Sequence, residues 1–291
     1  MPNALNGAFK TISNSHSADV FIFSGRIDDD TADDFITAIR EVENKKPNCA
    51  LILSTMGGDP DAGYRMVRSI KSNYDKFILY VFGFCKSTGT LIAIGADEIH
   101  MGELAEFGPL DIQLPGGDDG HTSGLSYLQS LISLHERIYS SFEQNLLALR
   151  SLGITTKTAS EIGSKLAIGI IQPISSQIDP LKLGEVQRSI KIASSYAERI
   201  VKGGEISESV KKLIGNYPSH SFVIDYEEMK ELFKMKKITR PHKDTLILEK
   251  ELAGFVRKPA KKSLVSYIEP EPEDEEAKNS PSPGSSVNVE E

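Results

Sequence analysis

The sequence predicts an α/β fold: a layered core of parallel strands and helices, then a helical C-terminal part and a disordered acidic tail. Three observations predict it. Apolar runs of strand length, such as residues 50–53 and 77–81, suit a sheet covered on both faces. Each run leads into a turn and then a segment with helical spacing of its apolar residues. From about residue 270, Pro, Glu, Ser and Gly dominate, and such a stretch has nothing to bury.

Residues 20–23 read as the first strand. Asp28-Asp29-Asp30-Thr31 then supplies capping side chains for a helix reaching about Glu43. Residues 49–54 form the next strand. The turn Thr55-Met56-Gly57-Gly58-Asp59 opens a helix over 61–73, with Met66, Val67 and Ile70 on one face. Residues 77–81 and 98–101 are further strands. Between them Ser87-Thr88-Gly89-Thr90 starts a buried helix that runs to Ala96. Read as one span, 77–96 has the length of a membrane helix, but Lys86, Ser87, Thr88 and three glycines interrupt it, so strand-then-helix is the reading adopted.

Gly108-Pro109-Leu110-Asp111 is a turn and 116–120 a polar loop. Leu125, Leu128, Leu131, Ile132, Leu134, Ile138 and Leu146 recur at helical spacing over 123–152, and Gly153 stops them. Helices are expected at 157–166, 182–201, 207–214 and 225–233. The division expected is an N-terminal segment (1–17), a main domain (18–235), a C-terminal extension (236–268) and the tail (269–291). No internal repeat is evident.

Charge is unevenly placed. The net charge is −8, and residues 269–291 hold eight acids against Lys278, so the remainder is close to neutral. Only 257–262 is locally basic, which excludes a nucleic-acid footprint. Cys49 and Cys85 lie in apolar runs and read as buried thiols of a reducing compartment, without ligand spacing to any partner. No basic-then-apolar leader is seen, so the expectation is a cytoplasmic protein with no membrane span, metal or cofactor.

Chemistry is suggested by two strand–turn–helix corners. Ser87 stands at the start of a helix, where unpaired N–H groups and the positive dipole end favour an anionic oxygen. Gly57 and Gly58 stand at the other corner and let a substrate backbone approach closely. A serine nucleophile needs a base and an orienting acid. Among six histidines, His16 and His242 read as surface residues and His100 ends a strand. His121, His135 and His220 stay open as the base, and Lys86 is a further option by adjacency to Ser87. Asp111, flanked by Leu110 and Ile112, is a candidate acid, although capping is the ordinary role of an aspartate in such a turn.

Ser54-Thr55-Met56-Gly57-Gly58-Asp59, then 86–97, together with Ser24-Gly25-Arg26-Ile27-Asp28, resemble the Clp-protease/crotonase superfamily. Phe107-Gly108-Pro109-Leu110-Asp111-Ile112-Gln113 resembles the signature of the serine dehydrogenase proteinase family, relatives of the signal peptide peptidases. Ser219-His220, followed by Asp225-Tyr226-Glu227-Glu228, is similar to its later histidine motif. The resemblance spans roughly residues 18–235. Met56 stands where relatives carry proline, and Ser221-Phe222 where they carry Asp-Tyr.

What the resemblance implies is a serine peptidase. Ser87 is then nucleophile, His220 base and Asp111 orienting acid, with Gly57, Gly58 and Thr88 forming the oxyanion and substrate-binding edge. A peptide or protein substrate, a homo-oligomer and a separate regulator or unfoldase are the implied partners. Two other readings follow from the same fold: a crotonase-like acyl-CoA enzyme, and a catalytically inactive oligomeric scaffold.

Overall fold

The structure is a computed structural model that describes residues 3–110, 113–115, 121–201, 207–215, 217–219, 221–234 and 236–269. The helix α1 (Asn3–His16) leads into strand β1 (Ala18–Ser24), and the alternation continues with α2 (Asp29–Glu41), β2 (Asn48–Ser54), α3 (Pro60–Asn73) and β3 (Lys76–Val81). A short β4 (Phe84–Cys85) precedes α4 (Thr88–Gly95), which is followed by β5 (Glu98–Met101) and β6 (Glu106–Phe107). A small hairpin, β7 (Gln113–Pro115) and β8 (His121–Ser123), precedes the helices α5 (Gly124–Ser151), α6 (Thr156–Ser175), α7 (Pro180–Ile200), α8 (Ser207–Gly215) and α9 (Tyr226–Leu232). The chain then adds β9 (Lys237–Thr239), α10 (Ile247–Glu251), α11 (Ala253–Val256) and β10 (Leu264–Ile268).

Six strands form the central sheet in the order β10-β1-β2-β3-β5-β9. All neighbours run parallel except β10, which pairs antiparallel with β1. The α/β expectation therefore holds. Its local causes are the capping groups: Asp28 accepts from the Thr31 N–H in a capping box, and Asp59 caps α3 ahead of Pro60.

The apolar strands are explained by a core on each face. Phe21, Phe23, Leu51, Leu53, Leu79 and Val81 point to one side, beneath α2, α3, α4 and α7. The alternate residues Val20, Ile22, Ala50, Ile52, Ile78 and Tyr80 point to the other, beneath α1, α10 and α11. Residues 1–17, expected as a plain segment, thus hold a packing helix: Leu5, Ala8, Phe9 and Ile12 are buried. The stretch after 235 supplies both edge strands of the same sheet.

The expected helix at 157–166 runs much further, as α6 to Ser175, and contains Pro173. Among the described residues, no helix is long and apolar enough to cross a membrane. The tail beyond residue 269 lies outside the described residues.

Candidate functional site

Two corners at the carboxyl ends of the parallel strands are stitched together by backbone. The Thr55 N–H donates to the Phe84 carbonyl at 2.8 Å, and the Lys86 N–H donates to the Thr55 carbonyl at 2.9 Å. Within the first corner the Gly57 N–H donates to Thr55 Oγ1 at 2.9 Å, and Ile27 donates to the Gly57 carbonyl at 3.1 Å. The Thr88 hydroxyl donates to the Gly58 carbonyl at 2.7 Å, so the start of α4 is tied to the glycine corner. Crevices at the carboxyl ends of the strands are the usual ligand position in open α/β sheets.

Ser87 takes φ 50° and ψ −114°, in the left-handed half of the map. A non-glycine residue there stores about 1–3 kcal/mol, sustained only where the surroundings over-determine it. The bonds across Thr55 and Lys86 are what hold it. Although Ser87 is the N-cap of α4, its side chain makes no capping bond. Instead it lines a cavity of about 750 Å³ with Gly57, Gly58 and Thr88. Gly57 (φ 102°) is pressed against it, and a methyl on Gly58 would stand 1.9 Å from the Ile27 carbonyl oxygen, so both positions exclude a side chain. Among the described residues, the N–H groups of Gly58 and Thr88 enter no backbone hydrogen bond. The four residues named as the nucleophile and oxyanion edge are therefore brought to one wall.

A second wall of the cavity is α7, through Ser189, Ile192 and Ala193, and a third is the segment Lys258-Pro259-Ala260. That segment is anchored: Ser24 donates its hydroxyl to the Phe255 carbonyl at 2.6 Å and accepts from the Ala260 N–H at 3.0 Å. The Phe84 N–H donates to the Arg257 carbonyl at 3.0 Å. Exposed Arg26, Lys258 and Met56 stand at the rim, the first two bringing positive charge, whereas Leu91, Leu110 and Ile192 make the interior apolar. Nothing in the local pattern of 258–260 marks it as part of a site; sequence reasoning missed it.

Lys86 points away from this chemistry. Its ammonium lies 2.6 Å from Glu106 Oε2 and donates to the Phe107 carbonyl at 3.0 Å, with the side chain almost entirely buried. Its ammonium is thus engaged by an ion pair and a carbonyl. The Gly-Pro turn is built around it: a methyl on Gly108 would meet Lys86 Cδ at 2.8 Å, and Thr90 donates to the Gly108 carbonyl at 2.7 Å.

Asp111 and His220 lie outside the described residues. Among the described residues, Leu110 lines the cavity, and Ile224 exchanges backbone bonds with Phe107 at 3.0 Å. The His121 side chain is likewise outside the description. His135 is exposed on α5 beside Tyr139 and is not among the residues lining the cavity. The surface reading of His16 is corrected: it is half-buried at the end of α1, 2.9 Å from the Tyr80 hydroxyl, because α1 packs on the sheet. Cys49 and Cys85 are free, buried thiols whose pKa burial pushes well up, as expected for inert core residues.

No family model matches the chain. An uncharacterized protein of Methanocaldococcus jannaschii is 36% identical over 83 residues, which are 28% of this chain and 29% of that one. The chain thus spans under a third of that curated relative. Among solved structures, a serine-to-alanine mutant of the 1510-N membrane-bound stomatin-specific protease is similar over 50% of this chain and 68% of its own, with 21% identity and a TM-score of 0.32. A lysine-to-alanine mutant of the same protease, in complex with a substrate peptide, is similar over 50% and 64% with 22% identity and the same TM-score of 0.32.

Proposed function

We propose that this chain is a serine peptidase of the serine dehydrogenase proteinase type, acting on peptide or protein substrates. The single observation that carries it is the strained Ser87, half-buried on a cavity wall beside the unused N–H groups of Gly58 and Thr88. Strain of this kind at a strand-to-helix corner aims the hydroxyl outward, as a nucleophile requires.

In this reading Ser87 Oγ attacks the scissile carbonyl carbon, and the carbonyl oxygen becomes an oxyanion. The Gly58 and Thr88 N–H groups receive that charge; each such donor is worth roughly 3–4 kcal/mol of transition-state stabilisation. His220 takes the serine proton and returns it to the leaving amine, while Asp111 holds the imidazole tautomer. These last two roles rest on the motif resemblance alone. Water then repeats the attack on the acyl-enzyme and frees Ser87. The protein works as a cytoplasmic homo-oligomer, with no cofactor and with any unfolding of substrates left to a separate regulator.

A crotonase-like acyl-CoA reading uses the same N–H pair to hold an enolate, but leaves the strain at Ser87 without a purpose. The test is labelling with a fluorophosphonate probe alongside hydrolysis of an unfolded protein. The wild-type chain is expected to label at Ser87 and to cleave; Ser87→Ala does neither. Full cleavage by folded Ser87→Ala overturns the proposal.

A further inference from the structure

We propose that His16, Glu98 and His100 form a binding site for a divalent transition-metal ion of the zinc class, pinning the end of α1 to β5. The three residues each offer one ligand atom, and these atoms lie within 4.8 Å of one another. They come from places far apart in sequence: His16 closes α1, whereas Glu98 and His100 sit two apart on β5 and so share one face of the sheet. The cluster lies on the Tyr80 face of the sheet, which α1 covers, opposite the face covered by α4, the helix that Ser87 begins.

Two buried atoms meet at the centre of the cluster, Glu98 Oε1 and His100 Nε2. Both are sealed from solvent; Glu98 Oε1 faces the Lys237 ammonium at 2.7 Å, whereas His100 Nε2 has no partner among the described residues besides that same oxygen. They lie 2.9 Å from each other in an ion-pair contact whose worth requires a proton on His100. A cation between the two atoms satisfies both at once.

The surroundings fit that role. His100 Nδ1 is 3.1 Å from the Thr239 hydroxyl, the kind of outer contact that fixes the tautomer and orientation of a ligating imidazole. The His100 ring is stacked on Tyr80 with centroids 4.4 Å apart, which holds its plane. The Tyr80 hydroxyl is hydrogen-bonded to His16 Nε2 at 2.9 Å, a contact that orients this imidazole. Two imidazoles and one carboxylate are a zinc donor set, with bonds of about 2.0–2.2 Å; magnesium and calcium prefer oxygen throughout. Tetrahedral bonds of that length set ligand atoms about 3.4 Å apart, so the Glu98–His100 pair at 2.9 Å must open and the widest pair must close, both by side-chain rotation. His16, on the terminal turn of a helix, has the freedom to do so.

Lys237 is the built-in competitor. Its ammonium is 2.7 Å from Glu98 Oε1, but its side chain is mostly exposed and swings into solvent when a metal takes that oxygen.

The test uses the full-length, untagged chain stripped with a chelator and titrated with zinc by calorimetry, and with cobalt by visible absorption. One equivalent of zinc is expected to bind, to raise the melting temperature, and to give way to neither magnesium nor calcium. Cobalt is expected to show the intense visible bands of a four-coordinate site. His16→Gln, in which the removed ring is only half-buried, is expected to weaken zinc at least tenfold while keeping the fold; Lys237→Ala is expected to tighten it severalfold; Ser87→Ala leaves it unchanged. Absence of zinc binding overturns the proposal, and so does zinc affinity that is the same in wild type, His16→Gln and Lys237→Ala.

Discussion

The α-carbon of Gly57 faces the Ser87 side chain so closely that a methyl group on it would stand 2.7 Å from Ser87 Cβ and 3.2 Å from Ser87 Oγ. The two corners are therefore one device, with the glycine defining where the hydroxyl lies. Gly57→Ala adds a side chain at φ 102°, where L residues are strained, and pushes Ser87 off its position. A displacement of about 1 Å at a reacting atom costs about 10²-fold in rate. The expected outcome is a loss of that order in kcat for protein hydrolysis, with stability lowered by about 2 kcal/mol. Unchanged kcat in the alanine variant would show that the glycine does not position the serine.

The Lys86–Glu106 pair assigns a structural part to a residue that adjacency alone offers as a base. Removing one partner of a buried pair strands a charge and typically costs about 3–5 kcal/mol, whereas replacing both with apolar groups is close to neutral. Glu106 keeps some exposure, so the lower end of that range applies. Lys86→Met is expected to lower unfolding free energy by about 3 kcal/mol, and Lys86→Met with Glu106→Leu to regain most of it. Activity follows the fold in both, measured as kcat on the fraction that is native. A folded double variant without hydrolysis would instead return Lys86 to the chemistry.

Lys236 ties pH to stability at the far end of the same helix layer. Burial, and secondarily the charge of Lys71, lower its pKa from 10.5 to about 8, while its ammonium donates to the Ala96 carbonyl. The folded-state pKa lies below the unfolded one. Between about pH 8 and 10.5 the unfolded chain therefore holds a proton that the folded chain has released, and stability contributed by this group rises with pH across that window. Below pH 8 the cost of the buried charge is constant. Denaturation of wild type and Lys236→Met from pH 7 to 10.5 is expected to show wild type gaining about 2 kcal/mol relative to the variant, after allowing for screening. A difference that stays flat contradicts the assignment.

Legibility in the sequence followed the range of the interactions. Strand–helix alternation was readable because its causes are local: capping by Asp28 and Asp59, and apolar strands that need cover on both faces. So were Ser87 and the glycine pair, which announce their corners within a few residues. The packing of α1 was available but unused, since Leu5, Ala8, Phe9 and Ile12 follow helical spacing among polar neighbours. By contrast, β9 and β10 are three and five residues long and are defined by partners far away in the chain. The Lys258 wall of the cavity and the His16 cluster arise the same way, from contacts that no window of sequence contains.

The α5–α6 hairpin carries the expectation of assembly. On α6 the buried positions Ala159, Gly163, Ala167 and Ile171 repeat every four residues. Leu166, Ile170 and Ile174 repeat at the same spacing and are exposed. On α5, Ile132, Tyr139 and Leu147 form a second exposed stripe at seven- and eight-residue steps. A soluble monomer rarely leaves two such stripes on adjoining helices uncovered. A second copy would cover both, because a twofold interface places the same patch on each side. The wild-type chain is expected to sediment as a discrete oligomer. Tyr139→Glu with Leu147→Glu, or Leu166→Glu with Ile170→Glu, moves it to monomer with its helix content by circular dichroism intact. A monomeric wild type, or an oligomer indifferent to all four substitutions, rules the hairpin out as the contact.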